Sequence, residues 1–163
     1  MSSVRKFRVK TKLATEVLKG GGITASEALK RADAGLEPLR EPCLVTVDRC
    51  LSEIDKRFGV SASGRSQEEF EDLYVLSSEI IDSSLGLPNS GIEHAARALC
   101  DLADLSLEKG IRDWQAVDVH IETLKLLRFR GQAFSQEQRQ AVLDGLKKVT
   151  LKRVGDSSAP SAA

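Results

Sequence analysis

The chain has 163 residues, enough for one domain with a substantial core and too few for two comfortable ones. Lys plus Arg and Asp plus Glu both number 24, so the formal net charge is zero. A neutral surface gains little from nucleic acid or an anionic membrane, and neither is expected as a partner.

Aromatic residues make up only 4 %, while aliphatic residues are plentiful and period-two alternation is rare, a composition that favours helices. The first element, residues 1–23, reads as a flexible basic arm. Arg5, Lys6, Arg8, Lys10 and Lys12 crowd its start, and Gly20 to Gly22 form its end. That glycine run lacks the preceding strand and following Lys-Ser/Thr of a phosphate cradle, so it reads as a hinge. TASE, beginning at Thr24, is a capping box: Thr24 and Glu27 can each satisfy the other's backbone N–H. A short helix is expected from there through Ala34, with Gly35 ending it.

Pro38 and Pro42 bracket the start of the next helix, where a missing donor is tolerated. Cys43, Val47, Cys50, Leu51, Ile54 and Phe58 then form a continuous stripe of about four turns, and Gly59 closes it. After the polar linker VSASGRS, Ser66 is the expected N-cap of a helix opening with Gln67, Glu68 and Glu69, acids suited to the positive end of the dipole. Phe70, Leu73, Tyr74, Ile80 and Ile81 are its expected buried face, with Ser77 in the same stripe. Gly86 and Pro88 break it.

Asn89 or Ser90 starts a helix with Ile92, Ala95, Ala96, Leu99, Leu102 and Ala103 inward, stopped by Gly110. Asp113 caps another, with Val117, Ile121 and Leu124 at helical spacing. After RGQAF, Ser135 and Gln138 form a second capping box opening a last short helix through Val142, Leu146 and Val149. The tail, residues 153–163, has a disordered composition. The expected fold is all-α. Four long amphipathic helices (39–58, 67–84, 90–109 and 113–129) with short connectors would form an antiparallel four-helix-type bundle over residues 24–152, with short extra helices at each end.

Catalytic patterns are thin: no GxSxG, P-loop, HExxH or GxGxxG occurs. Cys43, Cys50 and Cys100 lie in apolar helical contexts without a CxxC or paired histidines, so they read as free thiols and no metal or cofactor is expected. His120 sits at the border of its buried stripe and reads as a packed histidine with one bonded nitrogen. His94, in EHAARAL, is placed at the edge of its helix face. Arg97 three residues on gives it the spacing of a phospho-acceptor, which would need an exposed imidazole. No apolar run approaches the ~20 residues of a membrane span. No signal-peptide segment follows the basic start, so a cytoplasmic protein is expected.

LYVLSSEIIDSS, with EHAARALCDL downstream, resembles histidine-phosphotransfer (Hpt) domains over roughly residues 67–129, where such domains carry a reactive histidine with a lysine three residues on. Here Ser78 stands in the histidine slot, Ile81 replaces the lysine and Asp82 replaces a small residue. A serine does not form the labile phosphoramidate of a relay. Glu79 and Asp82 would repel phosphate. On a helical wheel Glu71, Val75, Ser78 and Asp82 form one ridge beside the buried stripe, where the resemblance places docking of a response regulator. ALKRADAGLEPLREPCL and DWQAVDVHIETLKLLR, taken with this helix, also resemble accessory chemotaxis proteins of the CheE type.

The resemblance implies a non-catalytic adaptor that binds a receiver domain or histidine kinase through Glu71, Val75, Ser78, Glu79 and Asp82. The alternative is an enzyme of the same pathway: a phosphotransferase using His94, or a receiver phosphatase that inserts an acid–amide pair one turn apart. Glu137 with Gln140, or Gln67 with Glu71, would supply that pair. A homodimer that uses the bundle for assembly is a further possibility.

Overall fold

A computed structural model of the chain describes residues 21–156. Most of the expected basic arm (residues 1–20) and the end of the expected tail (157–163) lie outside the described residues. The chain divides into two compact units at Leu36. Every regular element among the described residues is helical, and none of these helices is long and apolar enough to cross a membrane.

In the first unit, helix α1 spans Ala25–Leu36. Thr24 begins it as expected, its Oγ1 accepting the Glu27 N–H at 3.2 Å. The Glu27 carboxylate turns to Arg31 at 3.1 Å. Gly35 lies inside the helix and does not end it. One glycine costs about 1 kcal/mol relative to alanine, too little to stop a helix that is already propagating.

The second unit contains α2 (Arg40–Phe58), α3 (Phe70–Ser84), α4 (Ile92–Lys109), α5 (Trp114–Arg130) and α6 (Gln136–Asp156), with single 3-10 turns at Glu37–Leu39, Arg65–Gln67 and Gly131–Ala133. These five helices pack against one another. α3 and α4 share the largest interface, α2 touches α3 and α5, and α6 lies on α4 and α5. The α3–α4 closeness follows from composition: Ala95, Ala96 and Ala103 are fully buried on α4. Around them close Val47, Ile54, Phe58, Leu73, Ile80 and Leu99, each without exposed surface. A fully buried side chain of this size contributes roughly 1.5–3 kcal/mol of transfer free energy, so this cluster holds the unit together.

Further expectations change in the second unit. Ser66 belongs to a 3-10 turn, and α3 starts only at Phe70 behind Glu69, with no side-chain cap. The left-handed Gly64 (φ 76°) turns the chain first. α4 begins after the left-handed Gly91, with Ser90 Oγ accepting the Ile92 N–H at 3.2 Å. On α3, Tyr74 is not in the core: it is 43 % exposed, and Leu76 packs inward instead. The last helix is not short. With no proline to stop it, α6 runs 21 residues to Asp156, burying Leu146 while Leu143 and Val149 pack against the core.

Two local expectations hold at atomic detail. Asp113 accepts the Ala116 N–H at 3.0 Å. At the start of α6, Ser135 N–H donates to Gln138 Oε1 (2.9 Å) while Gln138 N–H donates to Ser135 Oγ (3.2 Å), a reciprocal capping box. Gly59 does end α2, and a side chain is excluded there: a Cβ would lie 2.3 Å from the Asp55 carbonyl oxygen.

Ion pairs lace the helices. Arg128 grips Asp48 through two bonds of 2.7 and 2.8 Å, and Lys125 reaches Asp55, so numbers rise on α2 as they fall on α5. Arg49 pairs with Glu79, and Arg57 with Asp72 and with Glu68, the last at 2.7 Å. At one end Trp114 packs 5.2 Å from Phe70 while Arg65 lies 4.6 Å over the indole and 2.8 Å from Asp118. Such a stacked guanidinium gains roughly 0.5–2 kcal/mol from the ring.

Candidate functional site

α3 carries most of the expected site residues, and its geometry divides them. The inward side buries Phe70, Leu73, Leu76, Ser77 and Ile80. Ser77 satisfies its hydroxyl within the helix, donating to the Leu73 carbonyl at 2.7 Å. Glu71, Val75 and Asp82 are exposed on the opposite side, joined by Tyr74; Val75 is 59 % exposed. The result is an apolar pair, Tyr74 and Val75, flanked by acids.

Ser78 and Glu79 do not share that openness. Ser78 is half-buried, its Oγ 3.5 Å from the Cys100 sulfur on α4. The Cys100 thiol also lies 3.7 Å from the Tyr74 carbonyl oxygen, to which it can donate. Ser78 therefore faces a neighbouring helix. Glu79 turns toward α2, where it pairs with Arg49. The glutamate also sits beside Cys50. Burial, reinforced by the Glu79 charge, pushes the Cys50 thiol up to about 11. Burial raises the Cys100 thiol as well, partly offset by its bond to Ser78. Both cysteines are protonated at neutral pH, which suits packing and disfavours nucleophilic work.

The histidines part company too. His120 is fully buried and both ring nitrogens are bonded: Nδ1 to the Ala116 carbonyl at 2.7 Å and Nε2 to Thr150 Oγ1 of α6 at 3.1 Å. This corrects the expectation of a border position with one bonded nitrogen, because α6 covers the outer side of the ring. Burial holds its pKa below the ordinary histidine value. His94 is exposed on the first turns of α4 and lines a cleft of about 600 Å³ between the α3–α4 connector and α6.

The acid–amide pairs fare differently. Glu137 and Gln140 are both exposed on α6, where the Gln140 amide donates to Asp144 at 3.0 Å. Gln67 belongs to the 3-10 turn before α3, so it and Glu71 are not one turn apart on a single helix. Among the described residues no group of three or more His, Cys, Asp or Glu is gathered as a metal set would be.

Sequence reasoning missed Tyr74 as a surface residue and Cys100 and Arg49 as partners of Ser78 and Glu79. Each partner lies on another helix, so no local spacing announces it. No protein-family model, curated protein or solved structure matches the chain.

Proposed function

We propose that this chain is a cytoplasmic, non-catalytic adaptor of bacterial two-component or chemotaxis signalling, built on an antiparallel four-helix-type frame. In this reading α3 binds a receiver domain or a histidine kinase without passing phosphate. The supporting observation is the outer face of α3: Tyr74 and Val75 stand exposed between Glu71 and Asp82, on the helix that resembles a phosphotransfer helix without its histidine. Exposed aromatic and aliphatic side chains ringed by acids suit a partner with an apolar spot inside a basic rim. The charges govern encounter and register, and the apolar pair governs lifetime.

Within that frame Ser78 and Glu79 support the face from its edges. Ser78 fixes the contact to α4, and Glu79 fixes α3 to α2 through Arg49. The residues that touch the partner are then Glu71, Tyr74, Val75 and Asp82. Val75→Arg tests this by calorimetry against a receiver domain and a kinase dimerisation domain. Weakening by at least about tenfold, with unchanged helicity, is expected of a central contact residue. Equal affinity would rule this face out as the docking surface.

A second reading is favoured by one observation, the exposure of His94 at the cleft beside α6. Phosphoryl transfer through that imidazole would leave acid-labile phosphate on the chain, absent in His94→Ala.

A further inference from the structure

We propose that the α3–α4 connector and Arg139 of α6 form a binding site for a small phosphate monoester. The connector residues Leu87, Pro88, Asn89 and Ser90, together with Arg139, line two clefts at once, the one of about 600 Å³ beside His94 and another of about 280 Å³ facing α2 and α5. The smaller cleft is lined by three arginines, Arg40, Arg128 and Arg139, and by no carboxylate.

The arginines are not equivalent. Arg40 has Glu37 at 3.4 Å and Arg128 has Asp48, so each carries an acid outside the cleft. Arg139 has no carboxylate partner among the described residues. Its Nη2 donates to two backbone carbonyls, Gly131 at 2.9 Å and Phe134 at 3.3 Å, and its Nε is buried with no acceptor. A half-buried guanidinium that meets only neutral oxygens retains an uncompensated charge, which an oxyanion in the cleft can neutralise.

Its side chain lies against Gly91. The Arg139 methylenes pack so closely on Gly91 that a Cβ there would lie 3.1 Å from Cδ. This holds the arginine against the first turn of α4, whose leading amides have no intrahelical acceptor and whose dipole favours an anion. Asn89 and Ser90 add polar side chains at the rim. Leu44, Ile92 and Leu127 supply an apolar wall, so the cleft suits an ester carrying an organic body better than bare phosphate. The one carboxylate lining the larger cleft, Glu93, is paired with Arg97 at 3.0 Å.

The test titrates the full chain with phenyl phosphate, inorganic phosphate and phenol, following amide resonances and heat. Saturable binding of phenyl phosphate is expected, tighter than that of inorganic phosphate, with shifts confined to residues 40–44, 87–94 and 127–140. Phenol should produce none. Arg139→Gln should weaken binding by at least about tenfold, the scale of one lost charge-assisted hydrogen bond. Because Arg139 also holds backbone carbonyls, Arg40→Gln provides a second arm with less structural consequence and should weaken binding several-fold. Binding that does not saturate, shifts spread over all exposed arginines, or full affinity in a folded Arg40→Gln protein would mean an adventitious ion only, and would overturn the site.

Discussion

The Ser78 hydroxyl lies 3.5 Å from the Cys100 sulfur, a contact that joins α3 to α4. Ser78 is thereby a packing residue at the margin of the exposed face. Ser78→Ala should cost less than about 1 kcal/mol, the range of a weak neutral hydrogen bond. Ser78→Arg forces a long cation against α4 and should cost roughly 1–3 kcal/mol. Urea unfolding of the two variants checks this. A Ser78→Arg protein as stable as the parent would place the position in open solvent. For the same reason Val75, not Ser78, is the clean probe of partner binding.

Burial of His120 gives stability a pH dependence with a definite sign. Its folded pKa is lowered, so below the ordinary histidine value the unfolded chain binds more protons than the folded one. The contribution is fully present above that value and is lost as pH falls from it toward the lower folded pKa. The slope cannot exceed about 1.4 kcal/mol per pH unit for one proton. The groups acting on the ring are the Ala116 carbonyl, Thr150 of α6, and the Asp101 and Asp113 charges; the carbonyl and the two charges favour the protonated form and are outweighed by burial. Urea midpoints at pH 7.5 and 5.5 should differ more for the parent than for His120→Gln. An identical difference would assign the pH dependence to other groups.

The Asp48–Arg128 pair ties α2 to α5 with two short bonds, yet the Asp48 side chain is 42 % exposed. Solvent screening therefore keeps its coupling near the upper end of surface pairs, about 1 kcal/mol. A double-mutant cycle of Asp48→Ala and Arg128→Ala in urea measures that coupling directly. Zero coupling would make the pair a bystander to packing.

The thiols should react in a fixed order. Cys43 is half-buried, whereas Cys50 and Cys100 are buried with raised pKa values. At pH 8 a brief native treatment with a disulfide reagent, read by peptide mass mapping, should label Cys43 first. Cys50 and Cys100 should label at the rate of unfolding. Rapid labelling of Cys100 would show that the α3–α4 contact opens readily.

These particulars also show what the sequence carries. The Ser135–Gln138 box and the Asp113 cap are legible because both partners lie within one turn, where spacing alone dictates reach. Gly59 is legible as a stop and Gly35 is not, because a single glycine ends a helix only where the chain beyond it turns away. Tyr74 is misplaced by periodicity because the buried arc of α3 is set by the positions of α2 and α4, which periodicity does not fix. The candidate site suffers most. Cys100 lies 22 residues from Ser78 and Arg49 lies 30 from Glu79, so two of its five expected members are occupied by contacts no local pattern encodes.

The central claim is that the chain grips a partner through α3 and carries no phosphoryl group. It is tested most directly by mixing the chain with a receiver domain radiolabelled on its aspartate, then resolving binding and label together on a native gel. The expected result is a complex that Val75→Arg dissolves, with all label remaining on the receiver or released at the receiver's own rate. Acid-labile label on this chain, lost in His94→Ala, would contradict it.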